Sequence, residues 1–193
     1  MRKILSKEEE AKRSRRNQFL IGGAMILIML ASVLGYAFGR DQTADSNEKI
    51  IYNGLEFTKQ SELWNVILGS YQFSFKYNPN ETERINSALN LLENYSGKPL
   101  YLLTENTEAG SEIYRNLFYQ NQIVERVQDA CLAGEKCDKN SPVKTCESNF
   151  IIIKESNNGG IRQQQNCVFI EGNIGNLTKL SDEFLFKITG ITQ

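Results

Sequence analysis

Residues 149–172 read NFIIIKESNNGGIRQQQNCVFIEG. Phe150 to Ile153 and Val168 to Ile170 are apolar at successive positions, so both faces of each run are apolar, as in strands covered on both sides at the centre of a sheet. Between them, Ser156-Asn157-Asn158-Gly159-Gly160 is a turn-forming cluster. Asn149–Glu155 and Arg162–Glu171 therefore read as the two strands of a hairpin. Leu100-Tyr101-Leu102-Leu103 is a third doubly apolar run.

Working outward, Ser111–Ala130 carries Ile113, Leu117, Val124 and Val127 as the inward face of a helix. Asn80–Tyr95 places Ile85, Ala88, Leu89 and Leu92 at helical spacing, with Asn80 and Glu83 as a capping pair and Gly97 as the stop. Asn176 stands as the cap of a last helix with Leu177, Leu180, Phe184 and Ile188 as its buried stripe and Gly190 at its end. On the N-terminal side, Asn53-Gly54 predicts a tight hairpin between Ile50–Tyr52 and Leu55–Thr58. Trp64, Val66 and Leu68 alternate, as do Tyr71, Phe73, Phe75 and Tyr77, giving two more strands around Gly69-Ser70. A short helix capped by Ser61 is the alternative for the first of these. The succession strand, helix, strand, helix, strand predicts parallel neighbours. The expected fold is α/β: a mixed sheet with flanking helices, antiparallel at its N-terminal strands and at a disulfide-braced hairpin. The order of the strands stays open.

A single N-terminal transmembrane helix is expected before this domain. No charge occurs from Asn17 to Gly39, and the 21 residues from Phe19 to Gly39 would make about 31 Å of helix, matching a bilayer core of about 30 Å. Seven Lys and Arg precede this run against three Glu, whereas only Arg40 and Lys49 follow before Ile50. By the positive-inside rule the N-terminus stays cytoplasmic and the rest lies outside. The expected organisation is a basic cytoplasmic tail (1–18), the transmembrane helix (19–39), a tether (40–48) and an extracytoplasmic α/β domain (49–193). A cleaved secretory signal ending near Gly35-Tyr36-Ala37 is the competing reading, but signal cores are shorter than this run. Ala31, Gly35 and Gly39 share a helix face; small residues are common in membrane helices. Of 22 Lys+Arg and 23 Asp+Glu, 15 and 20 remain beyond residue 39, so the outer domain is mildly acidic.

All four cysteines, Cys131, Cys137, Cys146 and Cys167, fall in the part assigned to the oxidising side, which favours disulfides. Their spacing contains no Cys-x-x-Cys, the element of zinc and thioredoxin-like sites. The preferred pairing joins Cys131 to Cys137, tying a helix end to a polar loop, and Cys146 to Cys167, across the hairpin.

The composition excludes more chemistry than it suggests. With no histidine in the chain, Ser-His-Asp and Cys-His nucleophiles, imidazole bases and His-ligated zinc are absent. A sequence pI near 5.7 argues against nucleic acid as a partner. Asn78–Glu83 and Glu105–Glu112, the loops after two strands, are acidic and not glycine-rich. Carboxylates there would repel phosphate at the helix starts, so no nucleotide cofactor is expected. Glu105, Glu108 and Glu112 are the best cation candidates, yet they lack calcium-loop spacing and read as a solvated acidic loop. Asp182 and Glu183 read as exposed, and Gln163-Gln164-Gln165-Asn166 as meeting solvent at the end of the hairpin. Asn80, Asn94 and Asn176 begin glycosylation sequons. The composition alone yields roughly two such triplets by chance.

No catalytic residue, cofactor-binding motif or metal set is assigned. The expected function is that of a single-pass, membrane-anchored outer domain that binds or scaffolds a protein partner or other envelope component without catalysis. A carboxylate-dependent hydrolase or carbohydrate-active enzyme is one alternative, since glycosidic cleavage needs no histidine. A small-ligand sensor is the other.

Overall fold

The computed structural model describes residues 7–39, 48–137 and 140–192. The chain forms two compact units, Met1–Ser46 and Asn47–Gln193. The first contains one helix, α1 (Lys7–Gly39). Within it the uncharged, exposed stretch 17–32 amounts to about 24 Å of helix, and among the described residues no helix is long and apolar enough to cross a membrane. The expected tether, apart from Glu48, lies outside the described residues.

The second unit is a mixed α/β domain. Its N-terminal strands β1 (Lys49–Tyr52), β2 (Leu55–Gln60), β3 (Leu63–Leu68) and β4 (Tyr71–Phe75) form an antiparallel sheet of their own in sequential order. This corrects the expectation of one sheet. Asn53 (φ 48°) and Gly54 (φ 80°) both adopt the left-handed conformation that a two-residue hairpin requires. The stretch open to a Ser61-capped helix is strand β3. Trp64, Val66, Phe73 and Phe75 are buried, whereas Ile51 and Ile67 face solvent.

The second sheet has the order β10-β11-β9-β5-β6, with β5 (Pro99–Thr104), β6 (Arg126–Asp129), β9 (Asn149–Glu155) and β11 (Cys167–Gly172) mutually parallel and β10 (Gly160–Gln164) antiparallel at the edge. The doubly apolar β9 is central, with Phe150 to Ile153 fully buried. The predicted hairpin is corrected here. Arg162–Glu171 is two strands turning at Gln165 (φ 53°), and β9 pairs in parallel with β11 rather than with β10. The disulfide Cys146–Cys167 forms nonetheless. Cys167 lies opposite Phe150 in the parallel register, and the Asn166 N–H donates to the Cys146 carbonyl at 3.1 Å. The bond therefore clamps the N-terminal ends of two parallel strands.

Helix α2 (Thr107–Tyr114) follows β5 and continues as a π-helical turn, Arg115–Tyr119. The predicted helix to Ala130 stops there, because Gln122 turns left-handed (φ 48°) and the chain re-enters the sheet as β6. Val124 and Val127 still pack inward, from a loop and a strand. Consequently Cys131–Cys137 braces a strand end. Cys131 lies in β7 (Cys131–Leu132), which pairs with β8 (Val143–Lys144). This excursion accompanies a second apolar cluster of Tyr101, Phe150, Ile152 and Cys167 with Leu132 and Phe169.

The helix expected over Asn80–Tyr95 is absent; only Leu92–Asn94 makes a 3₁₀ turn. Tertiary partners replace the helical ladder. Lys187 Nζ donates to the Ile85 carbonyl at 2.6 Å, and Gln163 Oε1 accepts the Asn90 N–H at 2.7 Å. The capping contact falls two residues earlier, where Glu81 Oε2 accepts the Asn78 N–H at 2.8 Å. Ile85, Leu89 and Leu92 still cover the core.

Helix α3 (Leu177–Ile188) contacts both sheets. Phe186 meets Phe57 and Phe75 of the antiparallel sheet at ring distances of 6.3 and 4.5 Å, and Phe184 meets Tyr95 at 6.3 Å. Leu180 approaches β11 so closely that a Cβ on Gly172 would lie 2.7 Å from its Cδ1. A side chain at 172 would force the Leu180 tip to shift.

The exposed side of β4 is closed by side chains. Asn116 Oδ1 accepts the Ser74 N–H at 2.8 Å, and Asn116 Nδ2 donates to the Ser74 carbonyl at 2.8 Å. Asn121 makes the same pair with Gln72, at 3.1 and 3.0 Å. These amides imitate a fifth strand, and their five-residue spacing suits the i to i+5 bonding of the π turn. An edge strand left open is a template for aggregation.

Two stability measurements check these assignments by urea denaturation. Replacing Cys146 and Cys167 together by Ala should cost about 3 kcal/mol, since the bond closes a long loop; an unchanged midpoint would contradict the clamp. Asn116→Ala strands buried Ser74 groups and should cost about 1–3 kcal/mol, more than Asn121→Ala at its exposed site.

Candidate functional site

Two polar regions stand out: a buried carboxyl cluster and an open cleft. The cluster overturns the reading of Asp182 and Glu183 as exposed. Asp182 is 0% exposed and Glu183 1%, because α3 is covered on both sides. Asp182 Oδ2 accepts the Tyr77 N–H at 2.9 Å. Its other oxygen has no donor among the described residues, and it neighbours Glu112, which is 2% exposed and ion-paired with Arg115. Burial, with the negative charge of Glu112 adding to it, pushes the Asp182 carboxyl well above the usual carboxylate range. Asp182 and Glu112 thus meet as two acids in one buried joint. Glu183 is also raised by burial, although hydroxyl donors oppose the shift: Thr82 at 2.9 Å and Thr192 at 3.2 Å.

These contacts are joints between elements. Arg115 Nε donates to the Ser74 carbonyl at 3.2 Å, linking the π turn to β4. Glu108 pairs with Lys76 and accepts from the Thr178 hydroxyl at 3.1 Å. The Lys76 ammonium holds the Glu108 carboxyl below its ordinary value. Glu105 Oε2 accepts the Glu155 N–H at 3.1 Å. The three cation candidates Glu105, Glu108 and Glu112 thus serve three different partners, and among the described residues no cluster of acids or cysteines is disposed to hold a metal ion. Gln164 and Gln165 meet solvent as expected, while half-buried Gln163 is engaged with Asn90.

The open cleft, about 400 Å³ in volume, lies at the carboxyl ends of parallel strands β9 and β11, where ligands sit in open α/β sheets. Gly172, Asn173 and Asn176 form the side that leads into α3, and Gly159 and Gly160 the turn into β10. Glu81, Glu83, Arg84 and Ile85 form the facing wall, with Lys179 and Leu180 on α3. Arg84 Nη2 donates to the Tyr52 hydroxyl at 2.8 Å, and Lys179 Nζ lies 5.0 Å from the Tyr77 ring centre. The loop after Tyr77, read in the sequence only as unsuited to phosphate, supplies Glu81 and Glu83 to the facing wall. Residues 172–176, GNIGN, were missed because Asn176 reads as a helix cap. In the structure it makes no side-chain capping bond.

The sequon residues occupy three settings. Asn80, Asn94 and Asn176 are all exposed. The Thr82 hydroxyl is bonded to Glu183 and that of Thr178 to Glu108, whereas Ser96 after Asn94 is exposed.

No protein-family model matches the chain, and no curated protein or solved structure matches it.

The carboxyl cluster sets a sign for pH dependence. A folded carboxyl raised above its unfolded value contributes fully at pH below the ordinary carboxylate range, and that contribution is lost as pH climbs through the raised value. Thermal melting followed from acid toward neutral pH should therefore show Asp182 and Glu183 lowering stability as pH rises. Asp182→Asn, which keeps an acceptor for Tyr77 and gains a donor for Glu112, should flatten this slope and raise the melting temperature near pH 7. An unchanged slope would contradict the raised Asp182 carboxyl.

Proposed function

We propose that this chain carries its disulfide-braced α/β domain on the outer side of a membrane, held by the N-terminal apolar helix, and that the domain binds or scaffolds another envelope component without catalysing a reaction. The observation that carries this reading is the pairing of all four cysteines into two disulfides, with no free thiol among the described residues. Such bonds persist in oxidising compartments. The basic residues before Phe19 and the uncharged run through Gly39 support the same orientation.

The acids favour binding over catalysis. A carboxylate hydrolase needs two carboxyls facing a cleft. Here Asp182 and its neighbour Glu112 are buried, and of the two carboxyls that line the open cleft, Glu81 and Glu83, the first is taken up by the Asn78 N–H. The open cleft instead collects amides, glycine backbone and opposed charges.

Protease added to intact cells should degrade the C-terminal domain, and thiol labelling without reductant should leave all four cysteines unmodified. Crosslinking of the full-length chain in its membrane should recover a discrete partner. Protection from protease, or four reactive thiols, would overturn the topology; failure to recover a partner would overturn the scaffold role.

A further inference from the structure

The cleft at the ends of β9 and β11 is kept open by a glycine that the backbone does not demand. Gly159 has no positive φ, and a Cβ built on it meets only backbone atoms at ordinary contact, the nearest at 3.8 Å. Gly172 is different, since Leu180 occupies the space its side chain would need. Where a side chain fits without strain, replacing glycine stabilises a protein by restricting the unfolded chain. Gly159 forgoes that gain. Gly159 lines the cleft and only two backbone atoms lie within 4 Å of the Cβ built on it, so a side chain there would take up cleft space.

The lining specifies the ligand. Arg84 and Lys179 are matched by Glu81 and Glu83, so the cleft has no net charge with which to select an anion or a cation. Both cations are already engaged with tyrosines, and Glu81 with Asn78. Asn86, Asn173 and Asn176 are exposed beside Glu81, Glu83 and Arg84, and neither Asn173 nor Asn176 makes a side-chain capping bond. Each amide offers two donors and one acceptor oxygen, the combination that pairs with vicinal hydroxyls. Ile85 and Leu180 add an aliphatic wall. The volume of about 400 Å³ falls in the range of small-molecule sites.

We propose that this cleft binds an uncharged saccharide, held by the Asn86, Asn173 and Asn176 amides against the Ile85–Leu180 wall, with Gly159 leaving the space for it. This rests on the reading of the domain as an envelope-binding module and names the chemistry of what it binds.

The test is isothermal titration of the full-length chain in phosphatidylcholine nanodiscs, with chitotriose and maltotriose as probes and inorganic phosphate and a Gly-Gly dipeptide as controls. At least one oligosaccharide should bind. Gly159→Val should weaken that binding roughly tenfold or more while melting no lower than the unaltered chain. Asn173→Ala should weaken binding without changing the fold. The proposal is overturned if neither oligosaccharide binds at concentrations up to ~10 mM, if Gly159→Val binds as the unaltered chain does, or if phosphate or the dipeptide binds more tightly than either sugar. Binding by a chain whose domain proves protected from external protease would overturn the topology and leave the saccharide site standing. A protease-accessible domain that binds no sugar would do the reverse.

Discussion

A helix with two carboxyls and two sheets to satisfy governs this domain. Every residue of α3 from Ser181 to Phe186 is buried, so this stretch of the helix has no polar face to give to water. Phe186 serves the antiparallel sheet, while Gly172 lets Leu180 settle against the parallel one. Burying Asp182 and Glu183 would be prohibitive as free charges. The Tyr77 N–H and the Thr82 and Thr192 hydroxyls offset that cost, and the Asp182 carboxyl, raised by burial beside Glu112, carries less of it. Each of those partners belongs to another segment, so satisfying the acids also fixes where α2, the end of β4 and the 78–92 crossing must run.

That constraint explains which parts of the fold were legible in the sequence. Elements whose pattern is set locally were read correctly: the Asn53-Gly54 hairpin, the alternation through Trp64 and Phe73, the doubly apolar Phe150–Ile153, and the Leu177–Ile188 helix. Asn80–Tyr95 failed because helical spacing of Ile85, Leu89 and Leu92 also suits an irregular crossing whose backbone is bonded by Gln163 and Lys187 from distant elements. Nothing local announces such donors. Asp182 and Glu183 failed for the same reason, since a stripe of four apolar residues implies an opposite face in water and a second sheet abolishes it. The Cys146–Cys167 pair was right although the hairpin behind it was wrong: a parallel β9–β11 register brings the same two residues together.

The parallel register also separates two roles along the sheet. Cys146–Cys167 holds the N-terminal ends of β9 and β11, and the cleft opens at their C-terminal ends beyond Glu155 and Gly172. Bracing one end covalently leaves the loops at the other free to carry the glycines and asparagines that line the cleft. The sequence drew attention to the loop after Tyr77, which follows a strand of the antiparallel sheet, only to exclude a nucleotide there. It hid the other wall, because GNIGN and SNNGG look like ordinary punctuation until the strands on either side are placed.

The central claim is that α3 makes two sheets into one cooperative domain. Native-state hydrogen exchange of the full-length chain measures this most directly. Amides of β3, of β9 and of α3 between Ser181 and Ile188 should exchange with one common free energy, equal to that of global unfolding. If β3 exchanged by a separate, lower-energy opening while β9 and α3 stayed protected, the antiparallel sheet would be an appendage, and the account of α3 as the shared core would be contradicted.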